Sequence, residues 1–305
     1  MATELSIATL TGRVAQSMSR ARATLDSVAD SLQNKNYGRM LQSRLEDIDT
    51  LNAGGARVQQ AEYESEVQGR LATRTQDRGD MDRWSDADTQ VRRSFNSAQQ
   101  DAGHLMSRIG AAQSELNGFH EDLTRSSASL DQALRDVDTL EQFPEYGKSE
   151  TSEGLRNRLT DLKGLTTRAD SGLKAAFDQL ENARTTAGRL ELASLEVGDG
   201  RHSAAIRIAG TSLTSDVRGA RDGLSEVRDH IDANMTDVND MAQYGIDEAV
   251  RTAELKNAVR AGTNPTTEAE QAGDHPPQQQ PSGAQDPRIR FMQGHTPGSA
   301  PGRGE

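Results

Sequence analysis

Histidines and paired acidic residues are the side chains of this sequence that could most readily bind a metal or transfer protons. The six histidines could bind a metal, but none forms a His-Glu-x-x-His pair and no two lie four residues apart. Acidic pairs such as Glu121-Asp122 and Asp247-Glu248 could donate and accept protons, although their positions on polar helix faces predict solvated carboxylates. We therefore expect no catalytic residue, no cofactor-binding residue and no metal ligand, and we expect that the protein is not an enzyme.

Five aspartates between Asp77 and Asp88 invite comparison with a calcium-binding loop. An EF-hand loop needs oxygen ligands at alternating positions and a glycine at its sixth position. Counted from Asp80, the fifth position is Trp84 and the sixth is Ser85, so the pattern does not match. Acidic and hydroxyl side chains here favour the start of a helix, where they stabilise free backbone N–H groups.

The composition narrows the function classes further. A net charge of −12 without a Lys/Arg cluster argues against nucleic-acid binding. The chain has no cysteine, which excludes disulfides and thiolate metal sites. Glycine-rich phosphate-binding motifs and the Gly-x-Ser-x-Gly motif are absent as well. With 33% apolar and 3% aromatic residues, long helices with narrow apolar faces fit better than a large compact core.

A seven-residue apolar repeat between Trp84 and Leu140 is the strongest structural signal. Alternate steps of four and three residues from Val91 reach fifteen positions, of which fourteen are apolar. This period predicts long helices that pack along a supercoiled apolar seam. Weaker seams span residues 7–48, 155–190 and 206–253. We predict an all-α fold, an elongated antiparallel bundle or coiled-coil rod of heptad-patterned helices.

Glycine pairs set the predicted boundaries in the first half of the chain. Asn52-Ala53-Gly54-Gly55 predicts a helix stop, so that residues 1–55 form an N-terminal helical segment. Residues 56–79 have little pattern and form either a short helix or a loose connection. Asn117-Gly118 leaves open a break in the long helix that follows.

Proline sets the remaining boundaries. Pro144 predicts the end of the long helix near Phe143, and the bundle of long helices as a whole covers residues 80–263. In that bundle a turn is predicted at Gly198-Asp199-Gly200. The apolar seam of the last helix shifts its phase at Met235. It then continues through five predicted positions: Val238, Ala242, Ile246, Ala249 and Ala253. Seven of the eight prolines follow Asn264. Residues 264–305 are predicted to be a disordered Pro/Gly/Gln-rich tail.

Two features indicate sites of contact with other proteins. Trp84, the single tryptophan, stands at the end of the bundle, where it is either a packing anchor or a partner contact. The tail holds a basic and apolar island of the kind that binds partners, with incidental composition as the alternative: Arg288, Ile289, Arg290, Phe291 and Met292. Alanine-rich seams and glycines inside helices predict modest stability, so we expect association with other proteins or as a homo-oligomer.

Tyr244 and Glu248 form a Tyr-x-x-x-Glu pattern near the end of the last predicted helix. The pattern is similar to the export signal of type VII secretion substrates, the WXG100-like family. This resemblance implies a secreted substrate or carrier without a cleavable signal peptide, with Tyr244 and Glu248 as the possible export signal. The sequence departs from the family at Ser85-Asp86, because the Trp-x-Gly turn is missing after Trp84.

The sequence as a whole favours a non-enzymatic structural or scaffolding protein that acts through helical contacts, with the tail as a tether or docking segment. The first ten residues lack the features of a secretory signal, and no apolar stretch is long enough to span a membrane. We therefore expect a cytoplasmic protein without membrane insertion and without a nucleic-acid or small-molecule partner. Its preference for arginine over lysine indicates a bacterial origin.

Overall fold

Five long α-helices make up the part of the chain that the computed structural model describes, which is residues 6–34, 37–144, 146, 149–194 and 202–260. The helices are α1 (Ile7–Asn34), α2 (Tyr37–Thr75), α3 (Arg78–Leu140), α4 (Glu150–Glu191) and α5 (His202–Arg260). Within these ranges there is no β-strand, so the predicted all-α class is confirmed. The predicted turn at residues 198–200 and the tail from residue 264 lie outside the described residues.

The chain divides into two compact units by its internal contacts. The first unit, Met1–Asn257, holds the helical bundle. The second unit, Ala258–Glu305, contributes only the last residues of α5 to the described part of the chain.

Helices α1 and α2 lie end to end and together form one of the four members of a bundle. Both run antiparallel to α3. Ser129 of α3 donates a hydrogen bond to Ser17 of α1 at 2.9 Å, and Arg108 of α3 pairs with Asp47 of α2 at 2.8 Å. Because the later residues of α3 contact α1 and the earlier ones contact α2, the two short helices act as one interrupted helix.

Helix α4 returns along α3 after a short connection, and α5 returns along α4. Lys163 of α4 pairs with Asp131 of α3 at 2.6 Å. On the next helix, the centroid of the Tyr244 ring lies 3.8 Å from the guanidinium carbon of Arg158 on α4. Neighbouring helices are thus antiparallel, as short connections predict.

Helix α5 completes the bundle against α2 and α1. Arg221 of α5 donates a hydrogen bond to Gln42 of α2 at 2.9 Å. Further along α5, the hydroxyls of Thr252 and Thr11 of α1 are 2.7 Å apart. The cross-section therefore has the order α1/α2, α3, α4, α5, and every neighbouring pair is antiparallel.

The buried residues follow the predicted seams. Each seam position of α3 from Val91 to Leu140 is buried except Phe119, which packs edge-on against Tyr37 with ring centroids 6.1 Å apart. Thr166, the polar position in the α4 seam, is fully buried because its Oγ1 donates to the Leu162 carbonyl at 2.9 Å. A hydroxyl satisfied within its own helix can therefore occupy an apolar seam.

Helix α3 is continuous for 63 residues, about 95 Å, and passes through Asn117-Gly118 without a break. It is capped by Asp77, whose Oδ1 accepts a hydrogen bond from the Gly79 N–H at 2.6 Å. The helix ends at Leu140, close to the end predicted from Pro144. None of the helices in the described part of the chain is both long and apolar enough to cross a bilayer.

The helix stop predicted at residues 52–55 is wrong, since α2 continues to Thr75. The glycines serve close helix packing instead. A Cβ on Gly55 would lie 2.8 Å from Cγ2 of Ile206 on α5, and one on Gly54 would lie 3.6 Å from Cβ of Ala98 on α3. Residues 56–75, for which both a helix and a loose connection are compatible with the sequence, are helical, and α3 begins at Arg78.

The seam predicted for the end of α5 is wrong beyond Ala242, although the helix passes Met235 without interruption, as predicted. Of the predicted positions, Ile246 is exposed. The buried positions are Gly245, Glu248 and Thr252 instead. Glu248 and Thr252 are polar, so a search for apolar periodicity selects the wrong face of the helix.

Candidate functional site

The end of the α2–α3 hairpin extends past the other helices. Helix α5 begins at His202, whose ring packs on Phe95 of α3 with centroids 4.9 Å apart. Its first free N–H groups are satisfied by Glu62 of α2, which accepts from the His202 N–H at 3.1 Å. Helix α4 ends at Glu191, and Gln99 of α3 donates to the Glu191 carbonyl at 3.0 Å. We call residues 63–94, which lie beyond these contacts, the hairpin tip.

A tight connection of Gln76 and Asp77 joins the two helices of the hairpin tip. Gln76 has φ 52°, a left-handed conformation in which the chain reverses at a cost to a residue with a Cβ. Asp77 then caps α3, and the Thr75 hydroxyl donates to Oδ2 of Asp80 at 2.7 Å. The turn is therefore fixed by local side-chain hydrogen bonds.

The side of α2 that faces α5 in the bundle continues onto the hairpin tip. Residues at seven-residue spacing share one face of a helix in a bundle of this kind. Gly55 and Glu62 both contact α5, and Gly69 is the next residue in this series. Gly69, however, does not lie against α5. Its neighbour is Trp84 of α3, whose Nε1 would lie 3.1 Å from a Cβ added to Gly69.

The same continuation holds on α3. Met81 and Asp88 precede Phe95 by two and one heptads, so all three share the face on which Phe95 meets His202 of α5. In the tip, none of the helices of the described residues lies over this face. Trp84 and Met81 are 45% and 51% exposed, whereas Phe95 is 1% exposed.

Charges on the hairpin tip nearly cancel. Residues 63–94 contain seven acidic and six basic residues, whereas the whole chain has a net charge of −12. Within the tip, Arg83 pairs with Asp80 at 3.3 Å and Arg70 pairs with Glu66. The tip therefore carries charges of both signs beside its exposed apolar side chains, a mixed composition compatible with a protein contact.

Trp84 is one of the predicted contact residues, and the structure places it at this tip. It packs across the hairpin onto Gly69 and also presents about half of its surface to solvent. Met81 and Gly69 are not among the residues predicted from the sequence. Heptad counting backwards from Phe95 finds Met81, but the sequence does not show that α5 begins level with Phe95 and leaves Met81 uncovered.

Tyr244 and Glu248, the possible export signal, are both engaged inside the bundle. Tyr244 stacks on Arg158 of α4. Glu248 is 7% exposed and accepts hydrogen bonds from the Tyr146 hydroxyl at 3.2 Å and from Arg251 at 2.8 Å. Burial and the nearby carboxylate raise the pKa of Tyr146, because both disfavour the phenolate. A role of the pair in export stays a prediction.

The remaining predicted sites give no candidate for catalysis. The island Arg288–Met292 lies outside the described residues. His120 lies 2.6 Å from Asp170 and links α3 to α4. Across the described ranges, no group of three or more His, Asp or Glu residues is placed to hold a metal ion.

A groove of ≈ 320 Å³ lies where α1 gives way to α2, lined by Leu32 and by Arg221 and Arg228 of α5. Both arginines are paired with acidic neighbours, Arg221 with Asp222 at 2.9 Å and Arg228 with Asp229 at 2.5 Å. These carboxylates offset the positive charge that would attract an anionic ligand. The groove is therefore a weaker candidate than the hairpin tip.

Two further apolar side chains of the hairpin tip, Tyr63 and Leu71, are also exposed. Exposed apolar residues also occur near the end of α5, at Val250 and Leu255. The tip is the candidate functional site because its exposed Trp84 and Met81 continue a face that the bundle buries elsewhere. Comparison of the chain with protein-family models, with curated proteins and with solved structures gave no match.

Proposed function

We propose that the protein is a non-enzymatic scaffolding protein that acts through helical contacts with other protein chains, its own copies included, with the hairpin tip as its principal binding surface. The observation that carries this proposal is the uncovered continuation of the α5-facing side, where Trp84 and Met81 are about half exposed. Tryptophan and methionine are enriched in the centres of protein interfaces, because they bury much apolar area. A protein that leaves such residues together on a rigid layer has a surface suited to a partner.

The four-helix section has a supporting role in this proposal. Its α3 seam is buried at every position from Val91 to Leu140 except Phe119, so the section is a stable base for the two helices that extend from it. Within the described residues, the tip itself has one layer of helices. A two-helix layer of this kind gains stability when a partner covers its apolar face.

Site-specific photo-crosslinking tests this function, with the purified and labelled full chain added to an extract of the source cells. Because the chain has no cysteine, Met81→Cys introduces a single thiol that can carry a photoreactive group. Ile208→Cys is the matched control, since Ile208 is also an exposed apolar residue, at 66%, and lies on α5 within the four-helix section. We expect protein adducts from position 81 that are absent or far weaker from position 208. Equal adducts from both positions, or none from position 81, would overturn the proposal.

A further inference from the structure

We infer that the partner of the hairpin tip is a second copy of this chain, bound tip to tip. The inference rests on the proposed function, because it assumes that the tip is a binding surface. In this complex, two hairpin tips pack face to face about a two-fold axis that crosses the helices. The pair forms a second four-helix section beyond the ends of α4 and α5.

The direction of the helices supports this arrangement. In the bundle, α5 lies over α2 and α4 lies over α3, and both overlying helices are antiparallel to the helix below. A two-fold axis that crosses the hairpin places the α2 of one copy antiparallel over the α2 of the other, and does the same for α3. The second copy therefore restores the helix polarity that α4 and α5 provide in the bundle.

The dimensions of the tip match as well. Each copy offers two helices of about 14 residues, or about 20 Å, that are free of α4 and α5. When two such segments overlap completely, the turn of each copy reaches the ends of α4 and α5 in the other. Leu192, which follows the last residue of α4, is exposed and lies where the turn of the other copy would arrive.

Charge favours a second copy over an acidic or basic partner. The tip is close to neutral, with seven acidic and six basic residues, so two tips repel each other little. An isologous contact brings the same patch of both copies together, so the small net charge of each tip keeps the total repulsion low. The rest of the chain is acidic, which opposes association elsewhere on the surface.

The area sets the expected strength. A layer about 20 Å long and about 20 Å wide offers about 400 Å² per copy, which is at the low end for specific protein contacts. The dimer is therefore expected to be weak, with monomers at low micromolar concentration and dimers at high micromolar concentration.

Sedimentation of the full chain over this concentration range, combined with tryptophan fluorescence, gives the first test. Because Trp84 is the single tryptophan, its emission reports the tip directly. We expect the mass to rise towards a dimer and the emission to shift to the blue over the same concentrations. Met81→Glu should weaken the dimer at least about tenfold, because a carboxylate would be buried in the contact, and Ile208→Glu should not. Circular dichroism checks that both variants keep their helices.

A disulfide test examines the proposed axis. Ser85 precedes Gln99 by two heptads and shares its α4-facing side. It lies near the middle of the tip, so in the dimer it faces Ser85 of the other copy. We expect Ser85→Cys to form a cross-linked dimer under mild oxidation. Ser107→Cys, an exposed position of the same helix within the four-helix section, is the control.

The outcomes separate this inference from the proposed function. A chain that stays monomeric at high concentration overturns the inference, as does a dimer that tolerates Met81→Glu or cross-links equally through position 107. The inference also fails when Trp84 emission is already blue-shifted in the monomer, since the tip is then covered by its own chain. If photo-crosslinking from position 81 yields only other proteins, the scaffolding function stands and the inference fails. If photo-crosslinking from position 81 gives no adduct at all, both the proposed function and the inference fail.

Discussion

At one end of the four-helix section the bundle buries polar side chains, and at the other end it exposes apolar ones. Near the end of α5, Glu248 and Thr252 are buried and hydrogen-bonded to neighbouring helices and connections. At the hairpin tip, Trp84 and Met81 of α3 are about half exposed. We call the first region, around Glu248, the closed end. The difference teaches that polarity alone does not locate the core or the contact surface of a long bundle, because the number of overlying helices decides what is buried.

The closed end and the tip also differ in how their side chains are satisfied. The Glu248 carboxylate has two partners, Tyr146 and Arg251, so its burial is compensated. Trp84 packs against Gly69, and 45% of its surface faces solvent. The buried carboxylate of the closed end is thus compensated within the chain, whereas Trp84 and Met81 of the tip stay half exposed on a face that is buried elsewhere in the bundle. Val250 and Leu255, which follow Glu248 on α5, are exposed as well, so apolar exposure alone does not distinguish the two ends. Four predictions test this contrast.

Removal of an aromatic ring should cost much more stability inside the four-helix section than at the tip. Phe95 and Trp84 lie on the same helix, but Phe95 is 1% exposed and Trp84 is 45% exposed. We expect Phe95→Ala to lower the free energy of unfolding by about 3–5 kcal/mol, since it leaves a cavity in the core. Trp84→Ala should cost about 1 kcal/mol or less in the monomer, because solvent already covers much of the ring. Urea denaturation at low protein concentration measures both, and equal losses would mean that the tip is packed like the core.

Glu248→Ala should destabilise the closed end by about 1–3 kcal/mol, because Tyr146 then keeps a buried hydroxyl without its acceptor. Glu254→Ala, an exposed glutamate on the same helix, is the control and should change stability little. The measurement is again the urea midpoint at unchanged slope. If both variants behave alike, the Glu248 contacts contribute nothing to folding, and the pair Tyr244 and Glu248 is free for another role such as export.

The sequence predicted most of the fold and one residue of the candidate site. Heptad periodicity in α3 and α4 was sufficient because nearly every seam position is apolar and buried. It failed at residues 52–55, where the glycines do not end the helix but leave room for Ile206 of α5 to approach it. It failed again at Glu248. A glutamate in a sequence pattern predicts a surface position, because the two partners that allow this carboxylate to be buried become visible only in the structure. Trp84 could be found from its residue type, whereas the exposure of Met81 depends on where α5 begins.

Raising the pH should weaken the closed end through Tyr146. Burial and Glu248 raise the pKa of Tyr146 above its ordinary value of 10.0. The group therefore contributes stability that is fully present below pH 10 and is lost as the pH rises towards the folded-state pKa. We expect Tyr146→Phe to remove up to about 1.4 kcal/mol per pH unit from the fall in stability above pH 10.

The pH dependence that remains in Tyr146→Phe has a second source. Tyr37 donates to Glu115 at 2.6 Å, and burial raises its pKa in the same direction. Tyr37→Phe should therefore flatten the curve as well, and the double variant more than either single one. Tyr63→Phe is the control for an exposed phenol of the hairpin tip. A pH dependence that is unchanged by Tyr146→Phe would contradict the burial of this hydroxyl at the closed end.

The smallest expected effect compares one substitution at the two ends. Alanine in place of a helical glycine gains about 1 kcal/mol from helix propensity, so the sign of the result depends on space. A Cβ on Gly245 would lie 2.7 Å from Sδ of the buried Met18 and 3.4 Å from the Ala15 backbone. Gly245→Ala should therefore lose about 1 kcal/mol net, since the crowding outweighs the propensity gain.

Gly69→Ala makes the same change at the tip, where the neighbour can move. The added Cβ would lie 3.1 Å from Nε1 of Trp84, whose ring is half exposed and free to shift outwards. We expect stability to stay within about 0.5 kcal/mol of the parent chain, with Trp84 emission shifted to the red as the ring moves into solvent. A loss as large as that of Gly245→Ala would show that Trp84 is held in place. The tip would then be packed as firmly as the closed end without a partner, and the contrast between the tip and the closed end would disappear.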